Sequence, residues 1–163
     1  MSVFHVTRRG LIAAGTALAL TLGLAGGAQA QTPPGVLIVG QIAEPKALDP
    51  AAVTAVNDFR ILMNVYDGLV RYKDGTLEVE PALATEWAVS EDDPNVWVFK
   101  LREGVTFADG ADFNAEDVVF SFGRAQSENS AMKELLTSIT DVRAVDDYTV
   151  EFVTDGPNPI LPN

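Results

Sequence analysis

The sequence predicts an α/β chain, a mixed α+β subdomain in which short strands are interleaved with amphipathic helices, and three observations predict it. In Val96–Leu101, Trp97, Phe99 and Leu101 alternate with Val96, Val98 and Lys100. One face is heavily apolar and the other mostly so, the pattern of an interior strand covered on both sides. Downstream, Asn114 is a good N-cap with Glu116 and Asp117 in the first turn, and Ala115, Val118, Val119, Phe122 and Ala125 recur at helical spacing. Upstream, Phe59, Leu62, Met63 and Tyr66 fall at i, i+3, i+4 and i+7, which predicts a helix over 56–66.

The elements follow in order. The run V-L-I-V-G-Q-I at 36–42 is β-type and is expected to be the first strand. Glu44-Pro45-Lys46-Ala47-Leu48-Asp49-Pro50 comes next, where two prolines enforce extended or turn geometry and block a helix. After the 56–66 helix and Tyr66-Asp67-Gly68-Leu69, residues 70–72 form a strand, and the Asp74-Gly75 turn leads to 77–80. Residues 81–84 read as the start of a short helix, and 86–90 as the strand that pairs with Val96–Leu101 through the connection Glu91-Asp92-Asp93-Pro94-Asn95. Val105-Thr106-Phe107 and Asp109-Gly110 give a hairpin-like reversal before the Asn114-capped helix. A second helix is expected over 130–137, then a hairpin of 139–145 and 148–153 joined by Asp146-Asp147. The organisation expected is an export signal at 1–30, a first strand and connecting segment at 31–50, a contiguous α+β subdomain at 51–155, and a truncated return segment at 156–163.

The signal rests on Arg8 and Arg9, an Ala- and Gly-rich apolar stretch at 11–24, and the A-x-A site Ala28-Gln29-Ala30, so cleavage is expected after Ala30. An uncleaved anchor is the competing reading, disfavoured by small residues and the A-x-A. Thr7-Arg8-Arg9-Gly10-Leu11-Ile12 resembles a twin-arginine signal, although two adjacent arginines also serve the ordinary route. The chain has no cysteine, hence neither disulfides nor a lipoprotein anchor. Its net charge of -12 becomes more negative without Arg8 and Arg9, the only charged residues of the first thirty, and such a balance repels nucleic acid and anionic lipid.

Chemistry is sparse. The single histidine is His5, inside the signal, so Ser-His and Cys-His catalysis and imidazole or thiolate metal sites have no residues beyond it. No phosphate-cradling glycine motif occurs, and no cofactor is called for. Asp109, Asp112, Asn114, Glu116 and Asp117 cluster, but Gly110 occupies the second position of a calcium loop instead of the sixth, and a turn plus an N-cap explains the same residues. Glu78 with Glu80, Asp92 with Asp93 and Asp146 with Asp147 read as solvated faces and turns, and nothing singles out a glycosidase-like acid pair. No catalytic residue is assigned.

Three runs occur in a fixed order: P-x-L-A-x-x-W-x-V-S-x-D from Pro81, F-x-L-R-x-G-V-x-F-x-D-G from Phe99, and A-x-D-V-V-F-S from Ala115. Together they resemble the peptide-type (family 5) solute-binding proteins of bacterial ABC importers. The one departure is the 91–95 connection, where that family usually has an Asp-Gly turn. The resemblance implies a type II periplasmic-binding-protein-like two-lobed fold of which this is the N-terminal part, with the second lobe absent. It also implies a monomeric periplasmic protein, without catalytic activity, that captures peptides or a related small solute and delivers them to membrane permease subunits. By the same resemblance, E-P-x-x-L-D-P enters the ligand cleft, making Glu44 the foremost ligand-contact candidate, with Asn64 and Tyr66 behind it. Tyr66 either completes the apolar helix face or brings an aromatic wall and a hydroxyl to a ligand. A secreted hydrolase with catalytic residues beyond Asn163, or a standalone one-lobed interaction domain, are the alternatives.

Overall fold

A computed structural model describes residues 32–162. The chain divides into two compact units, Met1–Gly40 and Gln41–Asn163. The expected signal features Arg8, Arg9, Ala28 and Ala30 lie outside the described residues.

Of the first unit, the described part is an exposed run. Val36, Leu37, Ile38 and Val39 are all more than half exposed, and the 36–42 stretch is not a strand. A strand exists through its neighbour's hydrogen bonds, and among the described residues this run has only a local turn bond, from the Val36 N–H to the Pro33 carbonyl.

The second unit is built on a four-stranded antiparallel sheet of order β3-β4-β6-β5, where β3 is Ala84–Val89, β4 Val96–Leu101, β5 Ile139–Asp146 and β6 Thr149–Thr154. A two-stranded ribbon of β1 (Val70–Tyr72) and β2 (Val79–Pro81) precedes it, and the helices are α1 (Val56–Leu62) and α2 (Ala115–Ala125). β4 is the interior strand its pattern predicts, pairing Trp97 with Val89 and with Phe152. Only its Trp97-Phe99-Leu101 face is buried as fully as expected. Across the other face run Lys100 beside Glu86 and Thr149, and Arg143 beside Glu151; that face is only partly covered, with Val96 and Thr149 buried, Val98 intermediate and Lys100 exposed.

The core lies between the buried face and α2. Phe152 packs edge-on against Phe122 of α2 at 4.6 Å and against Phe99 of β4 at 5.1 Å, with Leu101, Val118 and Val150 around them. The start of α2 is fixed as its sequence predicts. Asn114 Oδ1 accepts the Glu116 N–H at 2.9 Å, and Asp117 accepts the Asn114 N–H at 2.9 Å, a capping box. Asp109 caps its own turn by accepting the Ala111 N–H, and Gly110, at φ +90°, supplies the left-handed residue there.

Two expected helices are absent. Residues 81–84 end β2 and open β3 instead: the N–H groups of Ala82 and Ala84 donate to Leu69 O and that of Leu83 to Gly68 O, while Arg102 N–H donates to Leu83 O. Those amides are committed across the chain and are not free for a helical turn. Over 130–137 only the 3₁₀ turn Lys133–Leu135 forms. The Gln126 amide donates to the carbonyls of Leu136 and Ile139, which supplies from a side chain what a longer helix would supply from its backbone. The closing hairpin matches expectation, with its turn shifted by one residue so that Asp146 joins β5 and faces Thr149. At the C-terminal end the Trp97 indole N–H donates to Asn158 O at 2.9 Å and pins the return segment to β4.

Candidate functional site

α1 ends at Leu62, one turn earlier than its apolar spacing predicts. The chain unwinds through tight bonds from Asn64 N–H to Ile61 O and Val65 N–H to Leu62 O, and Asn64 Nδ2 donates to Arg60 O at 2.7 Å, closing the helix end. Asn64 is thereby a capping residue in this structure. The same unwinding carries Tyr66 away from the core face: its ring is half-exposed and its hydroxyl donates to Leu48 O at 3.0 Å. Tyr66 is therefore not the core residue its spacing allowed.

Tyr66, Asp67 and Gly68 form a ridge between two grooves. One, of 360 Å³, runs toward Leu83, Val105 and Phe107. The other, of 680 Å³, lies between α1 and α2 and is walled by Phe59, Met63, Phe120 and Met132, with Asp49 and Arg124 on its lining. Both are within the range of small-ligand sites. The ridge requires its glycine, because a Cβ at Gly68 would sit 2.9 Å from Val70 O.

Glu44 lines neither groove. It is exposed; its backbone carbonyl accepts from Asn57 Nδ2 at 3.4 Å, while its carboxylate has no partner among the described residues. Glu44, Asn64 and Tyr66 are therefore not brought into one cluster; Glu44 and Tyr66 are linked only through the 44–50 segment, which Tyr66 fastens at Leu48. Sequence reasoning passed over the other fasteners. The buried Asp58 accepts the Lys46 N–H at 2.9 Å, and the Asp49 carboxylate, which also caps the 3₁₀ turn Pro50–Ala52, is gripped by both terminal nitrogens of Arg124. That grip, first through the hydrogen bonds from Arg124 and then through the Ala51 N–H, holds the Asp49 carboxyl below its ordinary range, and Asp49 in turn raises Arg124. Within the acidic cluster, Asp109, Asn114 and Asp117 are occupied by turn and cap bonds.

An antiparallel sheet with one helix-covered face is thus led into by a strapped loop beside two open grooves. The family model of bacterial extracellular solute-binding proteins, family 5, matches residues 78–163, and the chain belongs to that family. It is 35% identical to the probable D,D-dipeptide-binding periplasmic protein DdpA of Escherichia coli, over 80% of this chain and 26% of the relative. Among solved structures it resembles the periplasmic binding protein DppA of Helicobacter pylori in complex with the peptide STSA (TM-score 0.60, 35% identity, 73% of this chain and 27% of that one). It also resembles NikZ of Campylobacter jejuni in complex with Ni(L-His) (TM-score 0.62, 27% identity, 72% of this chain and 23% of that one). The chain thus spans about a quarter of the length of these relatives.

Proposed function

We propose that this chain is the N-terminal part of the extracytoplasmic substrate-binding component of an ABC importer, which captures peptides or a related small solute and delivers them to membrane permease subunits. The observation that carries this reading is the family match across 78–163, on a sheet-and-helix unit similar to that of a relative solved with a bound peptide. In the same reading residues 1–30 direct export to the periplasm and are removed after Ala30, with Arg8 and Arg9 serving either the general or the twin-arginine route. Residues 31–50 then enter the cleft, 51–155 form one subdomain of the first lobe, and 156–163 lead onward; the protein acts as a monomer without a cofactor. Glu44 contacts the ligand, with Tyr66 and Asn64 supporting the cleft wall. The acidic surface suits a cationic or zwitterionic solute and disfavours nucleic acid.

Calorimetric titration of the full-length protein that carries this chain, against di-, tri- and tetrapeptides and Ni(L-His), tests the reading. Saturable binding of one class without turnover is expected. Hydrolysis of the peptides, or no binding across the panel, overturns it.

A further inference from the structure

Residues 44–52 run as a strap, irregular until the 3₁₀ turn Pro50–Ala52, and side chains from later parts of the chain hold it down. Asn57 donates to Glu44 O, Tyr66 to Leu48 O and Ser130 to Ala51 O, Arg124 grips Asp49, and Asp58 accepts the Lys46 N–H. Asp58 differs from the rest in being wholly buried, at 0% exposure. Its Oδ1 takes both Lys46 N–H at 2.9 Å and Asn57 Nδ2 at 3.3 Å, while its Oδ2 is buried with no hydrogen-bond partner among the described residues. An apolar residue at this position, one turn before buried Leu62, would fill the core without that penalty. What the carboxylate provides and an apolar residue cannot are a charge in the first turn of α1 and the bonds to Asn57 and Lys46, and of these only the bond to Lys46 holds the strap.

The link from Lys46 to Glu44 is stiff. Pro45 lies between them with its φ locked, and the residue before a proline is confined to extended geometry. With Pro45 φ fixed and Glu44 confined, fewer torsions lie between them to absorb a shift of Lys46, and more of it reaches Glu44. We propose that Asp58 is a positioning residue for ligand capture, fixing Glu44 at the cleft through Lys46 without touching the ligand. This rests on Glu44 being a ligand contact.

Two readouts separate the inference from that reading. In the chain itself, hydrogen exchange of the Lys46 amide is compared among wild type, Asp58→Ala and Asp58→Asn, with the Phe99 and Val150 amides as references for the sheet. Asp58→Ala is expected to accelerate Lys46 by about tenfold or more while the references hold, and Asp58→Asn, which keeps an acceptor oxygen, to restore protection. Should Asp58→Ala not fold, Asp58→Asn is compared with Asn57→Ala, which removes the bonds both to Asp58 and to Glu44 O but leaves the Asp58–Lys46 bond: Asn57→Ala is expected to leave Lys46 close to wild-type protection, and loss of Lys46 protection there would overturn the assignment to Asp58. Unchanged Lys46 exchange, or equal acceleration of the sheet, overturns the proposal. In the full-length protein, trialanine affinity is expected to fall about tenfold in Asp58→Ala and to return within about threefold in Asp58→Asn. Trialanine binding that Asp58→Ala leaves unchanged overturns the positioning role. Failure of the wild type to bind trialanine counts against a tripeptide as the solute, and the exchange result then decides the positioning role by itself.

Discussion

Truncating Phe152 tests the whole account of the core. The ring is 2% exposed, stands at the centre of β6 and makes both edge-on contacts that tie α2 to β4, through Phe122 and Phe99. Phe152→Ala removes that buried area, leaves a cavity that the paired backbone of an interior strand cannot close, and breaks two aromatic contacts, so the cost falls at about 3 to 5 kcal/mol. For a domain of this size the urea dependence is roughly 2 kcal/mol per molar, which turns a loss of about 4 kcal/mol into a midpoint lower by about 2 M. Against a total stability of about 5 to 15 kcal/mol this is severe without being abolishing at the upper end. Chemical denaturation followed by tryptophan fluorescence suits the purpose, since Trp97 lies in the same core. Val98→Ala on the half-covered opposite face of β4 is the control and should cost about 1 kcal/mol. A midpoint shift under about 0.5 M at unchanged slope, or a Val98 effect as large as that of Phe152, would refute a one-sided core.

Four further outcomes are expected. Asn114→Ala removes the cap and half of its capping box and should lower stability by about 1 kcal/mol in the same titration, with Asn114→Asp nearly neutral. Gly68→Ala sets a methyl group against Val70 O and should cost about 1 to 3 kcal/mol, read as a lower thermal midpoint. Asp49, Glu128 and Asp146 are all held below their ordinary values, by Arg124, by Lys133 and by the Tyr148 N–H respectively, so the native state binds fewer protons than the unfolded chain. Their stabilisation is complete above the ordinary values of 3.8 for the aspartates and 4.5 for Glu128 and fades as pH falls through the lower folded values; thermal melts below pH 4 should fall less steeply for Asp49→Asn than for wild type. Finally, if the full-length protein binds a peptide at about 1 μM and half the binding free energy comes from the other lobe, roughly 4 of 8 kcal/mol remain, so residues 31–163 alone should bind at about millimolar strength; micromolar affinity by calorimetry would contradict this.

What could be read from sequence follows the range of the interactions involved. β4, the closing hairpin and the capped start of α2 were legible because alternation, helical spacing and an Asn three residues before an Asp are local signals. The 36–42 run carried the same local signal and failed, because pairing needs a partner that its own composition does not specify. Residues 81–84 and 130–137 failed for a related reason: their backbone groups are claimed by Gly68, Leu69, Arg102 and Gln126, residues whose proximity no window of sequence contains. At the candidate site Glu44 could be singled out by its place in a motif, whereas the grip of Arg124 on Asp49 spans 75 residues and gave no sign.

The strap shows why that division matters for function. Residues 44–49 are irregular, Pro50 opens the 3₁₀ turn, and neither Pro45 nor Pro50 has a backbone donor, so the segment before the turn does not satisfy its groups by regular structure. Those groups must be met from outside, and the side chains that meet them, Asn57, Asp58 and Tyr66, come from α1 and its unwound end, while Arg124 of α2 holds the strap by the Asp49 carboxylate. The position of Glu44 is consequently set by the packing of two helices against the sheet and not by its own neighbours in sequence. A substitution in the core that tilts α2, such as Phe122→Ala beneath the Phe152 ring, would therefore act on the strap through Arg124 and Asp49 while leaving Glu44 itself untouched. In this fold the residues that decide where Glu44 stands are the ones that read, in sequence, as ordinary helix positions.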